Sequence, residues 1–173
     1  MKNFILFISI LLSTNNIINA QTSIEEDNKK AVIIFLNLAL KNCIFINNLE
    51  SPEEMVKNEA YATSHQFFYN EPITYNAACF QKAKMTYYQA KQANGYLFQA
   101  IIFAAKNRDD ELIKELKYKK HIIDKIIDCA IDAKYAAFYN AIELGDYKHN
   151  MNAALNNSLK ATEQIKILLN TLQ

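Results

Sequence analysis

Two pairs of histidine and aspartate have a spacing that could place each pair on one helix face. His121 precedes Asp124 by three residues, and Asp146 precedes His149 by three. Bundles that hold two metal ions use carboxylate and histidine pairs of this kind from facing helices. If the chain turns at Gly145, His121 lies about 24 residues before the turn and His149 about four after it, which separates the two pairs by roughly 30 Å. We therefore expect no joint metal site.

The other polar residues offer no catalytic arrangement. Asp124, Asp128 and Asp132 recur at every fourth position, which is typical of a solvated helix face, with docking of a basic partner as the alternative. Serine is sparse, and none lies in a glycine-flanked elbow. The chain has only two glycines, so it lacks a glycine-rich loop that could hold a phosphate. We expect no catalytic residue, no metal and no cofactor, and we predict that the protein is not an enzyme.

Tyrosine is the residue type that most suggests a binding function. The chain has ten tyrosines and no tryptophan. A tyrosine combines a large apolar area with a polar tip, which suits a partner-binding surface, although the same properties suit packing between helices with the hydroxyl at the solvent. Tyr87, Tyr88, Tyr139 and Tyr147 flank the chain's two glycines. We predict that these four residues contribute to a partner-binding surface.

The N-terminus predicts export. Lys2 is followed by the apolar run Phe4–Leu12, and a polar stretch then leads to Ala20. This order of charge, apolar core and small residue is that of a secretory signal peptide, and the run is far shorter than the ~20 residues that span a bilayer. We predict cleavage after Ala20. The mature chain, residues 21–173, is then a single domain, secreted or periplasmic, without membrane insertion after signal cleavage.

The charge balance argues against two classes of partner. Once Lys2 is removed with the signal peptide, the 19 basic residues of the chain become 18, against 18 acidic ones. Arg108 is the only arginine. A neutral chain with almost no arginine is unlike proteins that bind nucleic acid or anionic membrane surfaces. We expect no nucleic-acid partner.

Several helix starts can be read from the sequence. Two glycines and two prolines in the whole chain are typical of a helical protein, because sheet proteins need frequent turn residues. Ser23–Glu26 and Ser51–Glu54 are capping boxes that predict the starts of the first two helices. Pro72 predicts the start of the third. The polar stretch 107–110 predicts a turn that opens the fourth with acidic residues.

The two glycines leave two layouts open. Gly145 predicts the end of the fourth helix, and Asp146 can cap a fifth. Gly95 lies within the third helix, which it either breaks or weakens by ~1 kcal/mol. The aromatic stretch 87–96 resembles the stretch 138–147, as two helical hairpins that each turn at glycine would. A short array of αα-hairpin repeats is therefore the alternative to a bundle.

Apolar residues recur every three or four positions along the predicted helices. In the first helix the apolar stripe comprises Val32, Leu36, Ala39, Cys43 and Ile46. Such stripes are typical of helices that pack nearly parallel or antiparallel to one another. We therefore predict an all-α fold, an antiparallel helical bundle of four to five helices.

Three cysteines in an exported chain predict one disulfide and one free thiol. In a layout where successive helices run up, down, up and down, Cys43 and Cys129 lie within ~3 Å of each other along the bundle axis. In the same layout Cys79 is displaced from them by roughly 8 to 10 Å, beyond the ~7 Å Cα separation that a bridge allows. We predict a Cys43–Cys129 disulfide if any forms.

These observations favour an exported, non-enzymatic protein that binds another protein. The alternative is a carrier that holds a small apolar ligand or a cofactor inside the bundle. For haem attachment the Cys-x-x-Cys-His motif is lacking.

Overall fold

The computed structural model describes residues 2–65, 74–139 and 145–173, with side chains in 21–58, 74–139 and 146–173. These residues form five α-helices and contain no strand, which confirms the all-α prediction. The helices are α1 (Lys2–Asn47), α2 (Pro52–His65), α3 (Tyr75–Lys106), α4 (Asp110–Phe138) and α5 (Gly145–Leu172).

Four long helices, α1, α3, α4 and α5, form the bundle. Both α1 and α4 pack against α3 and α5, so α1 and α4 face each other across one diagonal. Asn28, just past the middle of α1, donates from Nδ2 to Oδ1 of Asn107, just after α3, at 2.7 Å. Lys82, near the start of α3, donates from Nζ to the carbonyl oxygen of Leu49, just after α1, at 3.3 Å. Neighbouring helices are therefore antiparallel, and the predicted bundle is confirmed.

The core combines large aliphatic residues with a row of small ones. Fully buried aliphatic side chains come from all four long helices, and include Val32, Leu36, Leu97, Leu116, Ile123, Ile126 and Ile165. Each contributes about 1.5–3 kcal/mol through burial. Helix α3 adds Ala90, Ala93, Ala100 and Ala104 to the same core. Small residues let α3 pack closely against both α1 and α4.

The predicted capping box at the start of α2 is confirmed. The backbone N–H of Glu54 donates to Oγ of Ser51 at 3.1 Å, and the backbone N–H of Ser51 donates to Oε2 of Glu54 at 2.8 Å. Pro52 is the first helical residue, where its missing N–H removes no helical hydrogen bond.

Helices α3 and α4 begin at side-chain caps. Thr74 caps α3 by accepting from the backbone N–H of Ala77 at 3.2 Å. Pro72, the predicted start, lies outside the described residues. Asp109 caps α4 by accepting from the backbone N–H of Leu112 at 3.0 Å, inside the predicted polar turn.

Two predicted boundaries are wrong. The capping box Ser23–Glu26 does not start a helix, because α1 runs through it without a break; none of its residues is a glycine or proline that would interrupt the helix. Gly145 does not end α4, which ends at Phe138 with Tyr139 as its C-cap. Instead, Gly145 is the first residue of α5, and residues 140–144 lie outside the described part.

Helix α3 is continuous through Gly95. A side chain at this position would meet no atom within 4 Å, so the glycine serves no close approach. The two similar aromatic stretches predicted two helical hairpins that each turn at a glycine. This prediction is wrong for the first hairpin, because the chain does not turn at Gly95.

Helix α2 is not one of the long helices of the bundle, contrary to the layout behind the disulfide prediction. It packs on α3 and contributes only half-buried Met55 and Val56 among its described apolar side chains beyond Pro52. The described part of α2 therefore buries little apolar surface. Consequently α3 runs opposite to α1, and α4 runs parallel to α1.

Helix α1 contains a segment that is long and apolar enough to cross a membrane but that also contributes to the bundle core. By length and composition, the segment Gln21–Asn47 could cross a membrane, yet a third of its apolar window is buried inside the protein. Val32, Leu36 and Ala39 from this segment lie in the bundle core. An N-terminal apolar helix of this kind is compatible with a signal sequence, with a membrane span or with a core helix.

Candidate functional site

Aromatic side chains of α3 and α4 form a connected row on the surface near one end of the bundle. We call this row the aromatic seam. Its members are Phe80, Tyr87 and Tyr88 on α3, Lys134, Tyr135 and Phe138 on α4, and Tyr139 at the C-terminal cap of α4.

Lys134 connects the two helices within the seam. Its Nζ lies 5.5 Å from the ring centroid of Tyr87 and 5.2 Å from that of Tyr135. Lys91 also approaches the Tyr87 ring, at 5.7 Å, and Tyr87 meets Tyr88 edge to face at 5.4 Å. A cation within about 6 Å of a ring is attracted by the negative face of the ring. These contacts fix the rings of α3 relative to those of α4.

The rest of the seam is held by ring contacts at the end of α4. Tyr135 stacks on Tyr139 at 6.4 Å, Phe138 meets Tyr139 edge to face at 5.2 Å, and Phe80 lies 6.2 Å from Phe138. The spacing of Tyr135, Phe138 and Tyr139 by three and four residues places them on neighbouring faces of one helical turn. The result is a continuous set of rings across two helices.

The seam is largely exposed to solvent. Tyr88 and Tyr135 are about half exposed, Phe138 is 66% exposed and Tyr139 is 71% exposed. Contiguous exposed apolar area is uncommon on monomeric proteins and marks interaction surfaces. The seam is therefore the strongest candidate for a binding surface among the described residues.

Three of the four predicted tyrosines, Tyr87, Tyr88 and Tyr139, lie in the seam. Tyr147 does not: it is 4% exposed and packs in a second core cluster with Cys79, Ala133 and Met151. Its prediction as a surface residue is wrong, because the first turn of α5 directs it between α3 and α4. The sequence reasoning missed Phe80, Lys134, Tyr135 and Phe138. The three-and-four spacing of the aromatic residues at the end of α4 is the signal that could have identified them.

A polar cleft of about 240 Å³ lies beside this second core cluster. Its walls come from the start of α2, the start of α3 and the first turns of α5: Ser51, Pro52, Glu53, Tyr75, Lys82, Tyr147, Lys148, Met151 and Asn152. We call it the end cleft. The hydroxyl of Tyr75 donates to Oε1 of Glu53 at 2.8 Å across it.

The ionisable groups of the end cleft have shifted pKa values. Burial, and then the hydrogen bond to Glu53, raise the pKa of Tyr75. Hydrogen bonds from its own backbone N–H and from Tyr75 lower the pKa of Glu53. Burial lowers the pKa of Lys82. The cleft thus combines a carboxylate that stays ionised with an ammonium partly removed from water.

Tyr147 has an unusual environment in this cleft. Burial, and then the neighbouring Cys79 thiol, raise the pKa of its hydroxyl. The hydroxyl lies beside the thiol, but the contact does not have hydrogen-bond geometry, and the hydroxyl has no other partner within the described part of the chain. A buried polar group without a partner destabilises the fold, so such groups are rare in native proteins.

The histidine and aspartate pairs do not come together in a metal site. The carboxylate of Asp124 accepts from Nζ of Lys120, at 3.1 Å, and from Nδ2 of Asn94. Both His121 and His149 are exposed. Among the residues with described side chains, no three His, Cys, Asp or Glu residues are grouped as metal ligands.

The three cysteines are free thiols in the structure. Cys43 is buried in the main core and Cys129 packs against its edge, whereas Cys79 belongs to the second core cluster. The up-and-down layout that led to the Cys43–Cys129 pairing is wrong, because α2 is not one of the bundle helices, so α1 and α4 run parallel. They also lie across the diagonal of the bundle from each other. Burial raises the pKa of Cys43 to about 12, which makes this thiol unreactive.

A second cleft, of about 360 Å³, lies at the opposite end of the bundle. Its apolar floor is formed by Val32, Ala104, Leu112 and Leu172. Its rim includes Glu25, whose carbonyl oxygen accepts from Nδ2 of Asn107 at 2.8 Å.

No protein-family model, no curated protein and no solved structure matches this chain. The class of the protein, an all-α antiparallel bundle of four long helices and one short one, therefore rests on its own structure.

Proposed function

We propose that this protein is exported and acts by binding another protein through the aromatic seam, without catalysing a reaction. The observation that supports the proposal is the largely exposed row of side chains from Tyr88 to Tyr139, in which the Lys134 ammonium joins the ring of Tyr87 to that of Tyr135. The N-terminal apolar helix supports export, in the order of charge, apolar run and small residue that signal peptides have.

The geometry of the seam suits protein recognition. Tyrosine and phenylalanine bury large areas at low entropic cost, because each has few rotatable bonds. In the seam these bonds are further restrained, since the Lys134 ammonium and the neighbouring rings hold Tyr87 and Tyr135. A surface that is ordered before binding loses less entropy on association.

The surroundings of the seam indicate the chemistry of the partner. Asp128, Asp132, Tyr135 and Tyr139 follow one another at steps of four, three and four residues, and all four are exposed. Carboxylates therefore border the rings on the outer face of α4. The complementary surface would present an apolar recess edged by lysine or arginine.

Site-specific photo-crosslinking in the native host tests this proposal. A photoreactive phenylalanine analogue at Tyr88 or Tyr139 should crosslink to the same single protein. The same analogue at Tyr118, an exposed tyrosine of α4 outside the seam, is the matched control and should not. Equal crosslinking from all three positions, or none from the two seam positions, would exclude the seam as the binding surface.

The alternative function, a carrier of a small apolar ligand, is supported by one observation. The cleft at the opposite end of the bundle has an apolar floor and a volume of about 360 Å³, within the range of small-molecule sites. Native mass spectrometry of protein from its own host would show a retained ligand as a discrete mass addition. A spectrum with only the bare chain would exclude tight carriage.

A further inference from the structure

We propose that Gln21, as the first residue of the mature chain, is modified by closure of its side chain onto its own amino group, which gives an N-terminal pyroglutamate. The inference rests on the proposed export, because Gln21 acquires a free amino group only when the signal peptide is cleaved after Ala20. It does not depend on the aromatic seam, to which Gln21 does not belong.

The reaction is an intramolecular transfer of the glutamine acyl group. The α-amino nitrogen of Gln21 attacks the side-chain amide carbon Cδ, and the new C–N bond closes a lactam ring. The bond between Cδ and Nε2 breaks, and Nε2 leaves as ammonia after it takes up the proton that the attacking amine loses. No atom changes its oxidation state, so the step requires no oxidant, reductant or second substrate.

The side chain of Gln21 is accessible for this reaction. It is exposed, and Nε2 donates to Oε1 of Glu25 at 3.3 Å, one helical turn later. This separation is longer than the usual range of about 2.7–3.2 Å for such a hydrogen bond, so the contact holds the amide only weakly. Gln21 also does not line the cleft at this end of the bundle. The amide can therefore turn back onto the amino group of its own residue.

A closed ring at Gln21 suits the start of α1. Once residues 1–20 are removed, Gln21 becomes the first residue of the helix, where N–H groups have no partner within the helix. The ring restrains the backbone at this residue as proline does at the first helical position. Closure also removes a positive charge from the end of the helix that carries the positive pole of the helix dipole. The product is therefore compatible with the fold.

The modification would protect the exposed end of the exported chain. An aminopeptidase recognises a free terminal amino group, whereas the lactam nitrogen is neutral and belongs to a ring. Chain ends are preferred sites of proteolysis. Trimming from this end would reach Glu25, whose carbonyl oxygen accepts from Nδ2 of Asn107 at 2.8 Å. The ring would thus preserve a contact between α1 and the end of α3.

Mass spectrometry of the tryptic peptide 21–29, from protein exported by its native host, tests the proposal. We expect most of this peptide to be lighter than the unmodified peptide by the mass of one ammonia. Pyroglutamyl aminopeptidase should remove the ring and leave Thr22 as the first residue. A synthetic peptide 21–29 with a free glutamine, handled in parallel, measures the closure that occurs during sample preparation.

Gln21→Met is the matched control, because it keeps the length of the side chain but has no amide. Its peptide should begin with a free amino group and keep its full mass. An equal loss of ammonia in this variant would place the loss at Asn28, the other amide of the peptide, and would overturn the proposal.

The proposal is also overturned if the exported wild-type peptide begins at Gln21 with a free amino group, or if it is cyclised no more than the synthetic peptide. Cleavage after Ala20 stands in both cases, so the failure concerns the modification alone. A peptide that begins at another residue, or Met1 retained in the exported protein, refutes cleavage after Ala20 and the modification with it.

Discussion

The ammonium of Lys134 on α4 lies 5.5 Å from the centre of the Tyr87 ring on α3, and 5.2 Å from the centre of the Tyr135 ring on its own helix. One lysine thus bridges the aromatic groups of two helices. A cation–π contact at an exposed site contributes about 0.5–1 kcal/mol. This energy is small for the stability of the bundle, but it is sufficient to favour one arrangement of the exposed rings over others.

Replacement of Gly95 by alanine should stabilise the protein. The residue lies inside the continuous helix α3, and a Cβ there meets nothing within 4 Å. Alanine reduces the conformational freedom of the unfolded chain and should raise the free energy of unfolding by about 0.5–1 kcal/mol. Urea denaturation followed by circular dichroism measures the change. A loss of stability in Gly95→Ala would show that α3 bends or opens at this residue.

Two substitutions of Tyr147 should have very different effects. The ring is buried in the second core cluster, whereas its hydroxyl has no partner in the described chain. Tyr147→Ala should therefore lower the free energy of unfolding by about 3–5 kcal/mol. Tyr147→Phe should be neutral or stabilising by up to ~1 kcal/mol, since it removes only the unpartnered group. Tyr118→Ala, at an exposed position, should change the free energy of unfolding by less than ~0.5 kcal/mol.

This expectation is tested by thermal or urea unfolding of the three variants. If Tyr147→Phe is as destabilising as Tyr147→Ala, the hydroxyl has a partner in solution and the packing described for the second core cluster is incorrect.

The sequence predicts those features of the structure that depend on residues close together in the chain. Ser51 and Glu54 satisfy each other's backbone within one helical turn, so their capping box could be recognised from spacing alone. The burial of Tyr147 depends instead on which face of α5 meets α3 and α4. That packing joins residues far apart in the chain. The position of Tyr147 next to a glycine was therefore a misleading reason to predict it at the surface.

The layout of the helices shows the same distinction. The apolar stripes predicted a bundle correctly, because amphipathic faces must be buried whatever the topology. The role of α2 could not be predicted in this way. The capping box at Ser51 predicts where a helix starts, but not whether that helix belongs to the bundle or is a short helix on its surface. Only the contacts that α3 makes with other helices distinguish the two.

The Cys43 thiol should make stability depend on alkaline pH. Its pKa is about 12 in the folded protein, against an ordinary value of 9.0. Above pH 9 the unfolded chain loses this proton while the folded protein retains it, so the contribution is fully present below pH 9 and is lost as the pH rises toward 12. The slope is at most ~1.4 kcal/mol per pH unit for this one group.

Urea unfolding at a series of pH values from 7 to above 9 measures this slope. Cys43→Ala should show a shallower decline than the wild type, whereas Cys129→Ala, at the half-buried edge of the core, should change the slope less. Identical slopes for the wild type and Cys43→Ala would contradict the burial of the thiol.

Cleavage of the N-terminus should depend on Ala20. Exported protein should have an intact mass that begins at Gln21, because a small residue precedes the cleavage site of a signal peptide. Ala20→Asp should block cleavage and leave residues 1–20 attached. Met1 retained in mature wild-type protein would instead mean that the N-terminal part of α1 remains as a membrane span or as part of the fold.

The affinity of the crosslinked partner for the wild type and for seam variants shows whether the aromatic seam is the binding surface. Tyr88→Ala and Tyr139→Ala should each weaken binding by at least ~2 kcal/mol if they are interface hot spots, roughly thirtyfold in the dissociation constant. Tyr118→Ala, on α4 but outside the seam, should bind as the wild type does, and all three proteins should retain their helical circular dichroism. Wild-type affinity in both seam variants, with the fold intact, would show that the protein does not bind its partner through the aromatic seam.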